Sequence, residues 1–388
     1  MSKSNGYDFD TAPHRRGSRS LKWDICKKDD VIPLWVADMD FKICDAVERA
    51  LRKRLDHGVC GYGLIDDLWY EAVINWQQRR NGVLYTKKQI LAVPGVIPAL
   101  SAVLQALLQP SEQVIMQTPA YNCFYSSLRN CGIDLLKNPL KEGARGYELD
   151  FEDLEAKLSS DRARALLLCN PHNPTGRIWT RDELMRIASL CEKYDITVIA
   201  DEIHSDLRSR DSVFTSFATL NSKVKTVTLN APSKAFNLAG LQCAYIMSKE
   251  ASLLREIDRR VNINEICDLN VFGIEALIAA YNEGEGWLES LNDYIRENLH
   301  CAYEFFAKEL PQVKIFMPQS TYLMWLDLRS YGLSSDELFK KFLEAGVMLS
   351  RGSDYGIEGD GFMRLNVACP QDLLLKGLER IKKALQQI

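Results

Sequence analysis

In the stretch NAPSKAFNLAG (230–240) a lysine stands among small and apolar residues, just after the β-like run VKTVTLN (224–230). Most of the chain's 48 Lys and Arg lie among other charges, as solvated residues do. Lys234 does not, and a buried amine is both a nucleophile and a base, because burial disfavours its protonated form. Taken alone it reads equally as a surface lysine closing a strand. Four more apolar runs also end in chemistry-bearing residues: ILAV in PGVIPAL (94–100), VIMQ in TPAY (118–121), ALLLC in NPHNPTG (170–176) and ITVIA in DEIHSD (201–206). Singly, Asp201 is a helix cap, Asn173-Pro174 a turn, Gly95 a strand-to-helix turn and Tyr121 a packing residue. Together, five strand ends deliver Gly95, Tyr121, Asn173, Asp201 and Lys234 to one edge. Pyridoxal phosphate has a use for each of them: a lysine for its aldehyde and an acid that keeps its pyridine nitrogen protonated. It also needs a donor to its phenolate oxygen, a flat group against its ring, and free amides at a helix N-terminus for its phosphate. Lys234, Asp201, Asn173, Tyr121 and Gly95-Val96-Ile97 fill those roles, and Ser233 offers the phosphate a hydroxyl.

The elements that must hold these residues are short apolar runs alternating with helical patterns, among them ICDAVERALRKRLDH (43–57), 96–109 and RDELMRIASLCEKY (181–194). Continuous apolar strands between helices indicate a mostly parallel sheet covered on both faces, with ligands beyond the carboxyl ends of its strands. The expected fold is therefore α/β, with a mostly parallel sheet sandwiched by helices in a large domain over 45–285. Residues 286–388 read as a smaller α+β domain, and 1–44 as a segment packing with it. In the last helix, 370–386, Leu374, Leu378, Ile381 and Leu385 recur at helical spacing. On residues 43–57 the expected apolar stripe is Ile43, Val47, Ala50, Leu51 and Leu55.

At 388 residues the chain is too long for one ordinary core. A net charge of −4 gives no electrostatic reason to expect nucleic acid. The eleven cysteines form no C-x-x-C and no metal-type spacing, which suggests reduced thiols in a cytoplasm and no metal site. The polar start lacks a signal-peptide core, and no apolar run reaches the ~20 residues of a membrane span.

The ordered set PGV, TPAY, NPHNPTG, DEIH and SKAFNLAG resembles fold-type I pyridoxal-phosphate enzymes of the class I/II aminotransferase superfamily. KWD (22–24), PLWVADMDF (33–41), GYG (61–63), RGSDYG (351–356) and FMRLNVACP (362–370) are similar to its cystathionine β-lyase/cysteine desulfhydrase branch, the MalY/PatB type of bacterial C–S lyase. The resemblance implies a seven-stranded sheet in the large domain, and that Lys234 bonds the cofactor and works as the catalytic base, with Tyr121 as a second proton donor. It implies that Arg364 grips the substrate carboxylate, with the Ala37 backbone close by, and that His204 lies near the phenolate oxygen. It implies that Tyr62 reaches the phosphate of a neighbouring subunit, hence a homodimer with shared active sites. The activity implied is β-cleavage of cystathionine, cysteine or another S-substituted cysteine to a thiol or sulfide, pyruvate and ammonia. An aminotransferase using the same residues is the alternative, and a lyase with an added protein-binding regulatory role is a second. The chain departs from many relatives at His204 (tyrosine there), Gln242 (a phosphate-binding arginine) and Ser320 (glycine).

Overall fold

The structure, a computed structural model, describes residues 6–144 and 146–388. Its central sheet has seven strands: β1 Ile90–Val93, β2 Gln113–Thr118, β3 Asp134–Pro139, β4 Ala163–Cys169, β5 Thr197–Asp201, β6 Thr226–Asn230 and β7 Ala244–Met247. Their spatial order is β1-β7-β6-β5-β4-β2-β3. Only β7 runs against its neighbours, antiparallel to both β1 and β6; the other four pairings are parallel. Strand alternation splits each apolar run between two helical layers. Leu167 and Ile199 face helices Val96–Leu107 and Ala251–Ile263, while Leu166, Leu168 and Val198 face Phe151–Leu158 and Arg181–Lys193. With both faces covered, the strands are apolar throughout, and their polar residues collect at the ends.

The edge strand β3, DLLKNP, carries too many polar residues to have an apolar signature. Its register with β2 is nevertheless complete, from Gln113 opposite Asp134 to Thr118 opposite Pro139.

A second sheet follows the 25-residue helix Glu285–Glu309. It comprises β8 Lys314–Ile315, β9 Leu323–Asp327, β10 Ser350–Arg351 and β11 Phe362–Asn366, in the antiparallel order β8-β9-β11-β10. Leu374, Leu378, Ile381 and Leu385 of helix Gln371–Leu385 are buried in the core that also covers β9 and β11. The stretch VMLS divides: Val347–Met348 pairs in parallel with Ile32–Pro33, and Ser350 with Arg364. Leu55 departs from its expected stripe. It is exposed on helix Asp45–Asp56 together with Val59, Tyr62, Leu64 and Leu68 just beyond, an apolar strip on the surface of the single chain.

Candidate active site

All five strand-end residues line one cavity of about 300 Å³, joined by Ala37, Val96, Ile97, His204 and Gln242. Helix Val96–Leu107 starts at Gly95 without a side-chain cap. Its first amides lack intrahelical partners and Pro98 has no N–H, so Val96 and Ile97 leave donors at the cavity wall, as an anion site requires.

Asp201 closes β5 and is buried; one carboxylate oxygen accepts the Ile203 amide at 3.1 Å. Burial raises its pKa to about 6, against a smaller opposing pull from the Lys234 charge. Lys234 sits one turn beyond β6, its Nζ donating to the Ala37 carbonyl at 2.8 Å. The side chain keeps some exposure because it lines the open cavity. Loss of solvent around the amine, then the nearby Arg364 charge, lowers its pKa to about 8. His204 is buried with its Nδ1 unpartnered among the described residues, and burial with the Lys234 and Arg364 charges drives it down to about 3, so its ring is neutral. Tyr121 packs edge-on against Phe124 with ring centroids 5.6 Å apart, and burial pushes its phenol upward.

Arg364, on β11, is buried and has no carboxylate partner among the described residues. Its Nη1 donates to Asn173 Oδ1 at 3.0 Å and its Nη2 to the Trp35 carbonyl at 3.0 Å, over the Tyr355 ring at 4.9 Å. Its Nε finds no acceptor among the described residues. A buried guanidinium without an anion is a receptor for one.

Three expected residues are not in the cavity lining: Arg364, which meets it through Asn173, Ser233 and Tyr62. Ser233, beside the lysine, is half-buried and outside the lining, its carbonyl accepting the Leu238 amide at 3.0 Å. Tyr62 is 97% exposed and borders a separate surface hollow with Cys60 and Asn270. His172, in the loop after β4, is buried: its Nδ1 lies 2.9 Å from Thr175 Oγ1 and its ring packs on Trp179. Gln242 does line the cavity, in the left-handed conformation at φ 49°. The backbone of Trp35, in PLWVADMDF, joins the site by accepting from Arg364. Two residues carry no signal in sequence: Ser350, which also accepts from Arg364, and Tyr322, whose hydroxyl meets the Ala37 carbonyl.

A lysine of weakened basicity facing a buried carboxylate, beside an anion-binding helix start at the strand ends of an α/β sheet, defines a pyridoxal-phosphate enzyme. The chain belongs to the aminotransferase class I and II family, whose model it matches over residues 29–381. Within that class it is 43% identical over 385 residues to cystathionine beta-lyase PatB of Bacillus subtilis (strain 168), covering 97% of this chain and 100% of that one. Cystalysin from Treponema denticola, solved with pyridoxal 5′-phosphate, aligns with a TM-score of 0.95 at 31% identity over 98% of this chain and 99% of that one. A PLP-bound C–S lyase from Staphylococcus hominis aligns with a TM-score of 0.90 at 30% identity, again over 98% and 99%.

The cofactor is pyridoxal 5′-phosphate, and the residues present fit it. Asp201 is a buried acid with its charge disfavoured until a cation meets it, which a pyridinium supplies. The Val96 and Ile97 amides await an anion, and the Lys234 amine, lowered to about 8, is partly neutral near physiological pH.

Proposed function

We propose that the chain is a carbon–sulfur β-lyase. It cleaves cystathionine, cysteine or a related S-substituted cysteine to a thiol or sulfide, pyruvate and ammonia. The observation that carries the reading is the Lys234 amine, pKa about 8, held in one cavity with Asp201 and within the field of Arg364, which has no carboxylate partner among the described residues. Such an amine takes and returns a proton near neutral pH. Full-length similarity to enzymes named cystathionine beta-lyase and C–S lyase supports cleavage over transamination.

In this reading Arg364 receives the substrate α-carboxylate in a bidentate pair, with the Ala37 backbone alongside. Pyridoxal phosphate supplies the electron sink for charge left at Cα. Asp201 holds positive charge at the ring nitrogen, Asn173 donates to the phenolate oxygen, and Tyr121 covers the ring. Gly95, Val96, Ile97 and Ser233 take the phosphate, and His204 stands neutral beside the phenolate side. Lys234 removes the Cα proton and returns a proton to the departing sulfur, with Tyr121 as its alternative. The released 2-aminoacrylate takes up water to give pyruvate and ammonia.

The reading includes a cytoplasmic homodimer. Support for the dimer is the exposed apolar strip from Leu55 to Leu68, with Tyr62 at its centre. Support for the compartment is that the eleven cysteines are all free and that, among the described residues, no helix is long and apolar enough to cross a membrane. The division at residues 44 and 285 belongs to the same reading.

Cystathionine supplied without any 2-oxo acid tests it. Many equivalents of pyruvate and thiol per enzyme are expected; product that stops at one equivalent of amino transfer would mean an aminotransferase.

A further inference from the structure

The Ala37 carbonyl accepts two side chains at once. Lys234 Nζ donates to it at 2.8 Å and the Tyr322 hydroxyl at 3.0 Å. A carbonyl oxygen has two lone pairs, so both are taken, and each donor weakens the oxygen as an acceptor for the other. Tyr322 is buried and held from both sides. Its carbonyl accepts the Val367 amide at 2.9 Å, next to the strand of Arg364. Before it, Thr321 adopts φ 73°, a conformation that costs a β-branched residue strain. The Thr321 amide donates to the Leu207 carbonyl at 2.7 Å, and the Ser320 hydroxyl donates to the same carbonyl and to that of His204. The residue that replaces a glycine of many relatives thus ties this strap to the loop leaving Asp201.

We propose that Tyr322 is a positioning residue: by occupying one lone pair of the Ala37 carbonyl, it sets where the Lys234 amine rests and how firmly that amine keeps its proton. The inference rests on Lys234 being the working base. The other charged and titratable groups facing the amine are Asp201 from β5, Arg364 from β11, Asp38 from the N-terminal segment and Cys123 from helix Asn122–Asn130, with His204 close by. None of them is changed by removing the Tyr322 hydroxyl.

The test is Tyr322→Phe in the full-length chain stripped of cofactor. Lys234 is titrated by the pH dependence of its acetylation with acetic anhydride, read by peptide mass spectrometry. With its competitor gone, the carbonyl holds the ammonium more firmly. The midpoint is expected to rise by about 0.5–1 pH unit, roughly three- to tenfold in proton affinity. In the loaded enzyme the acid limb of kcat moves up by the same amount while KM stays within about twofold. An unshifted or lowered midpoint in a folded variant overturns the proposal. So does loss of the fold, which would assign the hydroxyl to the core. Failure of the lyase reading leaves the titration standing, because it needs only the amine and the carbonyl.

Discussion

Two neighbouring regions bury charged side chains and treat them in opposite ways. In the N-terminal lock, Lys22 and Asp40 have no exposed surface and lie 2.8 Å apart. Arg15 adds contacts of 2.7 Å to Asp40 and 2.8 Å to Asp38, and Trp23 Nε1 donates to Asp40 at 2.7 Å. Two cations meet two carboxylates, and the lock is complete. At the cavity, Lys234 has a carbonyl instead of a carboxylate, Arg364 has an amide oxygen and a carbonyl, and Asp201 has one backbone amide. A buried charge without its counter-charge costs stability. Its persistence marks a place where a ligand completes the pairing. The regions meet at Ala37 and Asp38: Lys22 also donates to the Asp38 carbonyl at 3.2 Å, next to the carbonyl that holds Lys234.

The largest expected effect comes from removing the cavity's amine. Lys234→Ala should lower pyruvate formation from cystathionine by at least about a thousandfold and abolish the visible absorption of the bound cofactor. Turnover that persists would place the base elsewhere. The lock should answer in stability instead. Lys22→Met removes one of the two cations on Asp40, leaving Arg15 and Trp23, and is expected to cost about 1.5–3 kcal/mol in denaturant unfolding, with part of it recovered in Lys22→Met/Asp40→Asn, where Arg15 still pairs with Asp38. Equal loss in the single and double variants would show that packing, and not pairing, holds the lock.

Asp201 carries the comparison into pH. Its native pKa of about 6 lies above the ordinary carboxylate value of 3.8, so between those limits the native chain keeps a proton that the unfolded chain releases. Its contribution to stability therefore falls as pH rises through that window and stays reduced above it. Without cofactor, Asp201→Asn should be more stable than the parent at pH 7–8 by about 2–3 kcal/mol, and the gain should vanish below about pH 4. The same variant should bind pyridoxal phosphate more weakly, since it cannot meet the ring's positive nitrogen. A variant no more stable than the parent at pH 8 would mean that Asp201 is already paired.

The cavity was more legible in sequence than the lock, for a physical reason. A parallel sheet covered on both faces concentrates its polar residues where strands stop, so Tyr121, Asn173, Asp201 and Lys234 stand out against the apolar runs before them. Lys22, Asp38 and Asp40 have no such background; their burial depends on a chain reversal that brings 15–24 against 35–41, and no local pattern encodes it. Tyr322 was hidden likewise, because its meaning lies in a carbonyl 285 positions away in the chain. Edge strand β3 has no apolar signature because its solvent-facing side needs no apolar residues, and burial, which β7 shares with its parallel neighbours, leaves no mark of strand direction.

Tyr62 should give the smallest effect and sharpens the comparison across subunits. It is almost fully exposed in one chain and absent from that chain's cavity lining, so within a monomer its hydroxyl should do nothing for the cofactor. In the proposed dimer it donates to the phosphate of the partner's cofactor, a single charge-assisted bond. Tyr62→Phe should then weaken cofactor affinity by about 1 kcal/mol, roughly fivefold, with the sedimentation of the protein unchanged. Diluting the parent below its dimer dissociation range should reproduce the loss, and the variant should then show no further change on dilution from this bond. A Tyr62→Phe enzyme that holds pyridoxal phosphate as tightly as the parent would leave the phosphate to Val96, Ile97 and Ser233 of a single chain.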